Sequence, residues 1–263
     1  MALLVVTTAC EPAPSPAPTP TFTPEPTPTT TTFKLGITVW YAGLVMAFDT
    51  ATAVLDERGG PVAVTVHLTN PGQDDVTLDF PISLTVGDAA FETTRETVLP
   101  SVAAGKTAFT TLHFNVIGET LVEDAVLRIG APGKHQGIVP LTPGTVAAVA
   151  LEPLEFVPHG TAAAGDLRLS VSHGQLRWDL PDWAAELPAA SAALTLTYDV
   201  TYTGTFSGGT PFTAANVGLQ LPNGQVLAPR DDGRIQSSVA IGPGQTVRRL
   251  ATRFEIPANL PGI

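Results

Sequence analysis

Residues of the types that catalyse reactions or bind metals are few in this chain and lie far apart. Five histidines are present: His67, His113, His135, His159 and His173. None of them lies two to four residues from another, the spacing of metal-binding pairs on one element. The chain has no Gly-x-Ser-x-Gly motif, and Ser172-His173 alone lacks the third member of a catalytic triad. We therefore predict a protein that is not an enzyme and uses no metal or cofactor, unless distant residues assemble a site.

A phosphate-binding loop is suggested by Ala104-Gly105-Lys106-Thr107, because such loops end in Gly-Lys-Thr. The first glycine of that motif would fall at Pro100, and a helix should follow the loop. Residues 108–116 instead alternate as a strand does. We interpret Gly105 as a turn residue between two strands, and we predict no nucleotide site.

Carboxylates cluster at two places in the sequence. Asp74-Asp75 lies close to Asp79, and Asp231-Asp232 is followed by Gly233. Loops that bind calcium supply six to eight oxygen ligands. Arginines on both sides of the second cluster offset its charge, and polar turns explain both clusters. We predict no metal site, with calcium binding at these turns as the open alternative.

The best candidate for a recognition surface is the stretch RWDLPDW at residues 177–183, which holds two of the three tryptophans of the chain. Tryptophan rings stack on sugars and anchor protein partners. The candidate recognition residues are Trp178, Asp179, Asp182 and Trp183. In the alternative interpretation, Trp178 is a core residue of a strand and Trp183 packs over the end of a sandwich.

The composition describes a folded, strand-forming chain. Apolar residues make up 44% of its 263 residues and charged residues 14%, enough apolar surface for a core. The net charge of −11 disfavours nucleic acid as a partner, because binding to phosphates requires clustered Lys and Arg. Thr, Val and Gly are abundant and Glu, Lys and Met are scarce, which favours strands and turns over helices. We predict an all-β protein.

The single cysteine, Cys10, excludes a disulfide framework. It follows the apolar run MALLVVTTA, and Ala9-Cys10 resembles the cleavage site of a bacterial lipoprotein signal peptide. The resemblance implies that Cys10 carries a lipid anchor, and residues 1–10 form the signal segment. Thr7 stands where leucine is usual, and no positive charge precedes the short apolar run, so the true start is expected upstream. A cytosolic protein with a free cysteine is the alternative.

Residues 11–32 read EPAPSPAPTPTFTPEPTPTTTT, a proline and threonine stalk. Alternating prolines fix φ and remove backbone donors, so neither helix nor sheet is expected, and we predict disorder. At about 3.1 Å per residue in the polyproline II conformation, the stalk would reach roughly 60 to 70 Å. Such a spacer would hold the following domains away from a membrane.

Strand patterns recur after the stalk, and their order is repeated. Apolar residues alternate in 62–69 and again in 194–203, which predicts two half-buried strands. Residues 82–88 correspond to 217–224, and residues 101–116 correspond to 238–257, with Phe114 matching Phe254 in the two cores. His67 and His113 fall on the outward phase of their strands. Three matched segments in the same order indicate an internal duplication.

We place the first repeat at 33–150 and the second at 151–263, each of a size usual for a seven-stranded sandwich. In the first repeat, the Phe114 strand is followed by a further strand at 125–130. The sequence ends soon after the Phe254 strand, so the second repeat is expected to lack its last strand and the gene to be truncated.

The two repeats resemble the small immunoglobulin-like sandwich domains of unknown function in bacterial surface lipoproteins, akin to the immunoprotective extracellular protein of mycobacteria. The resemblance rests on Val39-Trp40-Tyr41, VAVTVHLTNPG and AAGKTAFTTLHFNV in the first repeat. In the second it runs from LTLTYDVTYTG onward. It implies two tandem antiparallel β-sandwiches and an extracellular location, and it supplies no catalytic or binding residues.

The expected function is that of a non-enzymatic lipoprotein, exported and held at the outer face of a bacterial membrane by Cys10. Its sandwich faces and loops would bind an extracellular protein or glycan. Two alternatives stay open at this point: accessory domains of a longer extracellular hydrolase, and a structural spacer. Fold alone does not choose among them.

Overall fold

The structure is a computed structural model that describes residues 27–118, 122–142, 144–179, 181–182, 185–230 and 238–259, with the backbone alone at 181, 182 and 185. The predicted all-β class is confirmed, because the described elements are strands and two short 3-10 turns. The expected signal segment with Cys10 and the stalk up to residue 26 lie outside the described residues.

The described residues of the first unit form ten strands and one 3-10 turn. Their bounds are β1 Thr29–Tyr41, β2 Leu44–Leu55, β3 Gly59–Thr69, β4 Val76–Thr77, β5 Ile82–Val86, β6 Ala89–Glu92, β7 Ser101–Val102, β8 Thr107–Ile117, η1 Val122–Asp124, β9 Val126–Ile129 and β10 Gly137–Pro140. The prediction that the stalk extends to residue 32 without sheet is wrong for Thr29–Thr32, which pair with β2 because no proline among them removes their backbone donors.

Two antiparallel sheets face each other in the first unit. One has the strand order β1-β2-β3-β8 and the other has the order β10-β9-β5-β6, while β4 pairs with β7. The inward residues of both sheets join one continuous hydrophobic core. In β3 the apolar residues Val62, Val64, Val66 and Leu68 are all buried, as their alternation predicted. The first unit is therefore a β-sandwich.

In the second unit, the part of the chain that the structure describes forms eleven strands and one 3-10 turn. Their bounds are β11 Leu154–Phe156, β12 Gly160–Ala164, β13 Leu167–Arg177, β14 Pro181–Asp182, β15 Ala185–Glu186, β16 Ser191–Tyr202, β17 Thr210–Phe212, η2 Ala214–Asn216, β18 Leu219–Gln220, β19 Val226–Leu227, β20 Val239–Ile241 and β21 Thr246–Pro257.

The main sheet of the second unit has the order β11-β13-β16-β21, and β12 also pairs with β13. Opposite it lie two short ladders, β17 with β20 and β18 with β19. Phe212 and Ile241 of the first ladder pack into one hydrophobic cluster with the main sheet. Leu221, which directly follows β18, packs into a separate cluster with that sheet. This unit is also built from antiparallel layers, but its core is divided.

The pairing registers show that the two main sheets are equivalent strand by strand. Val62 pairs with Phe114 in the first unit, and Leu194 pairs with Phe254 in the second. Four residues further along β3, Val66 pairs with Phe48, which directly precedes the β-bulge in β2. Four residues further along β16, Tyr198 pairs with Val171, which directly precedes the β-bulge in β13. A shared bulge at the same register is a specific structural feature, so it supports the internal duplication.

The units meet close to the predicted boundary. Strand β11 begins at Leu154, while Leu151 is buried in the core of the first unit. Residues 177–191 of the second unit then fold back and contact the first, through an isolated bridge between Lys134 and Pro188. We call residues 177–191 and their partners in the first unit the junction.

Candidate functional site

The predicted recognition residues lie at the junction. Trp178 is half-buried and packs against the core of the first unit and also against a core cluster of the second. Asp179 is only 2% exposed. The prediction of an exposed surface is therefore wrong for Asp179, because the fold encloses its carboxylate between the two units. The side chains of Asp182 and Trp183 lie outside the described residues.

Asp179 is held by a two-point contact with Arg177, the last residue of β13. Arg177 Nε donates to Oδ1 at 3.0 Å, and its Nη2 donates to Oδ2 at 2.9 Å. The backbone N–H of Gly43, in the turn between β1 and β2, also donates to Asp179 Oδ2 at 3.4 Å. A buried carboxylate requires such partners, since an unpaired charge in the interior is costly. Asp179 thus links the first unit to Arg177.

Glu186 is the second carboxylate of the junction. Its Oε1 accepts a hydrogen bond from the hydroxyl of Tyr41, at the end of β1. Its Oε2 accepts from the N–H of Ala131 at 2.7 Å. Burial raises the pKa of Tyr41 strongly, and the hydrogen bond to Glu186 and the charges of Glu186 and Asp179 raise it further. Tyr41 is therefore a neutral donor that the first unit presents to the second.

The loop between β9 and β10 completes the junction. His135 Nε2 lies 2.7 Å from the carbonyl oxygen of Ser191, and because a carbonyl only accepts, the ring nitrogen is the donor. Ala189 N–H donates to the carbonyl of Gly133 at 3.2 Å. Gly130 has φ +103°, and a side chain there would collide with Tyr41 and Glu186. A glycine at 130 is what lets the two units approach this closely.

Chemically, the junction contains two carboxylates that accept hydrogen bonds from the first unit, and Asp179 is also paired with Arg177 of its own unit. Its groups fix the orientation of the two units by hydrogen bonds at several separate points. Sequence reasoning singled out Asp179 for the wrong role and missed Tyr41, Glu186 and His135. These three lie up to 145 residues apart, so only the folded chain brings them together.

A second candidate surface is the outward side of the first sheet, which we call the outer face. Phe109 on β8 is 76% exposed, and its ring lies 6.5 Å from the ring of His67 on β3. His67 Nε2 is 2.8 Å from Oδ2 of Asp49, the extra residue of the bulge in β2. Aromatic, imidazole and carboxylate groups are thus side by side in solvent.

Threonines surround this aromatic group on all four strands of the outer face. The outward positions on β1 to β3 and β8 include Thr38, Thr50, Thr52, Thr65, Thr69, Thr107 and Thr111. Thr69 and Thr107 share a hydrogen bond of 2.9 Å between their hydroxyls. The face is a broad layer of hydroxyl groups around one exposed aromatic ring.

Sequence reasoning could have found Phe109. His67 and His113 are both on the solvent side, with side chains 48% and 37% exposed, as their phase predicted. Phe109 precedes His113 by four residues on β8, so the same alternation turns its ring outward.

Two of the remaining candidate segments, around Gly105 and around Asp75, are turns between strands in the described part of the chain. Strand β8 begins at Thr107, directly after Gly105-Lys106, so Gly105 is a turn residue as predicted. Asp75 Oδ1 accepts from the N–H of Ala104 at 3.0 Å. Asp231 and Asp232 lie outside the described residues. Within the described part of the chain, no three metal-binding side chains come together.

No known protein family matches the chain, and no curated protein matches it either. In the described ranges, no helix has the length and apolar character needed to cross a bilayer. The fold and the junction define an all-β protein of two antiparallel units that contact each other through partly buried hydrogen bonds and through Trp178.

Proposed function

We propose that this protein is a non-enzymatic lipoprotein of the bacterial cell surface that binds an extracellular glycan through the outer face of its first unit. The observation that carries the proposal is the exposed Phe109 ring beside the His67 and Asp49 pair, in a layer of threonine hydroxyls. The proposed anchor is Cys10, through the signal segment and stalk of the sequence.

The chemistry of the outer face suits a sugar. An exposed aromatic ring stacks on the apolar C–H face of a pyranose, and the Phe109 ring is 76% exposed on the outward side of β8. Threonine hydroxyls and the Asp49 carboxylate would hydrogen-bond the sugar hydroxyls. The partial exposure of His67 and Asp49, 48% and 52%, leaves both groups accessible to a ligand.

The sheet that carries these groups is a firm support. Its inward residues Val39, Phe48, Val64 and Phe114 are at most 1% exposed and belong to one core. Rigid elements hold contact groups in place better than loops do. An exposed face on such a sheet loses little conformational entropy when a ligand binds.

The test separates the anchor from the binding face. Cells that express the full gene should hold the protein in the membrane fraction and bind a fluorescent panel of bacterial and host glycans. Phe109→Ala should leave the membrane amount unchanged and weaken glycan binding about tenfold, since base or sugar stacking on a ring contributes about 1 to 3 kcal/mol.

Two controls accompany this variant. Val226→Ala removes an exposed apolar side chain from the second unit, at a position 64% exposed, and should leave binding intact. Cys10→Ser should release a soluble protein that still binds the same glycans. Equal glycan binding by the wild type and Phe109→Ala would contradict the proposal for the outer face. If the outer face instead binds a protein and that binding requires Phe109, the ligand is a protein and the proposal of a glycan is wrong.

A further inference from the structure

The outward side of the main sheet of the second unit carries exposed arginines. Arg168 lies on β13, Arg248 and Arg249 lie on β21, and all three side chains are exposed. Thr201 of β16 pairs with Arg168 on one side and with Thr246 of β21 on the other. We call these three arginines and two threonines the arginine face.

A β-bulge turns both arginines of β21 to the same side of the sheet. The residues that flank them, Val247 and Leu250, both pack in the core cluster under the sheet. Regular alternation would leave a single outward residue between two inward ones. The register shifts here, opposite Asp199, so Arg248 and Arg249 both lie between inward residues and both are exposed.

Arg249 has a backbone conformation that arginine rarely adopts. Its φ is +58°, in the left-handed region that favours glycine. The carboxylate of Asp199 holds the backbone there, because its Oδ1 accepts a hydrogen bond from the Arg249 N–H at 3.0 Å. Such residues are unfavourable for the fold and are concentrated at functional sites. The arginine side chain, rather than the backbone geometry, is therefore the feature to explain.

The positive charges of the arginine face are not neutralised within the described residues. In that part of the chain, the side chains of Arg168, Arg248 and Arg249 enter no hydrogen bond and no ion pair. Asp199 is the carboxylate closest to them in register, and one of its oxygens already accepts a backbone N–H. In a chain with a net charge of −11, this face thus carries an excess of positive charge.

The two arginines of β21 occupy the position that Phe109 has in the first unit. Thr69 pairs with Thr107 in the first unit, with 2.9 Å between their hydroxyl oxygens. Thr201 pairs with Thr246 in the second unit, with 2.8 Å between theirs. Phe109 is the second residue after the β8 threonine, and the arginines are the second and third after its β21 counterpart. The duplicated fold thus presents guanidinium groups where the first unit presents an aromatic ring.

We propose that the arginine face binds a linear acidic polysaccharide whose sugars carry carboxylates, a polyuronate. Each guanidinium is a planar fork that pairs with a carboxylate through two hydrogen bonds. The hydroxyls of Thr201, Thr246 and the exposed Ser170 would hydrogen-bond the sugar hydroxyls, since a hydroxyl both donates and accepts. The inference goes beyond the glycan site proposed on the first unit and does not rest on it.

The spacing and the surroundings of the arginines select this class of ligand. Two strand spacings, about 10 Å, separate β13 from β21, so Arg168 and Arg248 can each pair with a different carboxylate of one chain. The net charge of −11 opposes binding to a nucleic acid duplex or an anionic bilayer, whose charge density is high. A polyuronate combines spaced carboxylates with many hydroxyls, which matches a face of arginines and hydroxyl groups.

The test titrates a fluorescein-labelled oligogalacturonate into the full chain and follows fluorescence anisotropy. We expect saturable binding that weakens with added salt, because salt screens the attraction between opposite charges. Arg249→Gly removes one guanidinium and suits the left-handed backbone. It should weaken binding at least about fivefold while the thermal midpoint of unfolding does not fall. Arg168→Ala, on the other strand, should weaken binding by a similar factor.

Arg58→Ala is the matched control, since it removes an equal charge from an exposed position in the turn between β2 and β3. It should leave binding within about twofold, because salt weakens the long-range attraction between exposed charges. Phe109→Ala should also leave binding within about twofold, since the ring belongs to the other unit. An oligogalacturonate whose carboxylates are methyl esters should bind the wild type and Arg249→Gly equally.

Equal weakening by Arg249→Gly and Arg58→Ala would overturn the proposal, because the ligand would then respond to overall charge rather than to this face. Absence of saturable binding would also overturn it. Vesicles that contain phosphatidylglycerol are titrated in parallel. If they bind through Arg168 and Arg249 while the oligogalacturonate does not, the ligand is a membrane surface and the polyuronate is wrong. Binding that Phe109→Ala abolishes and Arg249→Gly leaves intact would overturn this inference and support the outer face of the first unit.

Discussion

The hydroxyl of Tyr41 connects the two units through a hydrogen bond to Glu186, and its ionisation should make stability sensitive to high pH. The phenol has an ordinary pKa near 10, and in the folded chain that pKa is raised, first by burial and then by Glu186. The folded state therefore holds this proton more tightly than the unfolded state. The contribution of the Tyr41 proton to the free energy of unfolding is complete below about pH 10, and it is lost as the pH rises above that value.

Tyr41→Phe removes the titrating group, so the loss of stability above about pH 10 should be shallower than in the wild type. At neutral pH it should cost about 1 kcal/mol, the typical contribution of one hydrogen bond, while Ala131 still donates to Glu186. Urea unfolding from about pH 8 to about pH 11 measures both effects. Burial also raises the pKa of Tyr198. The double variant Tyr41→Phe and Tyr198→Phe should therefore lose less free energy of unfolding between about pH 8 and about pH 11 than Tyr41→Phe alone. An unchanged alkaline slope in Tyr41→Phe would contradict the argument.

At the level of single residues, sequence reasoning detected which side of a strand faces water but not which groups meet. Alternation correctly assigned Phe114 to the core and His67 to solvent. It could not show that Asp179 is enclosed, because the burial of that carboxylate comes from Gly43 of the other unit. Contacts across units depend on how the units are joined, and no local pattern records that.

Strands β8 and β21 occupy equivalent positions, and each contributes one large aromatic residue to its core. Phe114 is 1% exposed and Phe254 is 0% exposed. Truncation of either to alanine should cost about 3 to 5 kcal/mol through lost burial and the cavity left behind. The loss for Phe254→Ala should fall at the lower end of that range, because its cluster is small and can relax around the vacated space.

Phe109→Ala is the matched control for these truncations, since Phe109 lies on the same strand as Phe114 with its ring in water. It should change the free energy of unfolding by less than about 0.5 kcal/mol. Denaturant titrations with probes in each unit measure all three variants. A loss from Phe109→Ala as large as that from Phe114→Ala would mean that its ring has a structural role.

The elements themselves follow from the sequence to different degrees. Long strands such as β3 and β16 were predicted from alternation alone, because one face of each is buried and the other is not. The bulges in β2 and β13 were not predicted, since a bulge is defined by the partner strand.

At the scale of the whole molecule, the junction connects two units that have separate cores. Glu186 joins them through Tyr41 and through the N–H of Ala131, with Trp178 packed between the cores. A surface module at the end of a stalk presents its binding face in a defined direction only if its units do not swing independently. Contacts between domains usually permit relative motion, so we expect the partly buried hydrogen bonds at several points of the junction to restrain it here.

Glu186→Ala tests this restraint, because it removes the acceptor for two hydrogen bonds from the first unit. We expect the exchange rate of the Ala131 amide to rise at least about tenfold and small-angle scattering to show a broader, more flexible particle. Glu155→Ala is the control, since it removes an equal charge from a half-exposed pair with His173 on neighbouring strands of the second unit. It should change neither measurement. If Glu186→Ala scatters like the wild type and Ala131 keeps its protection, the orientation of the units must be set by the apolar contacts of Trp178 instead.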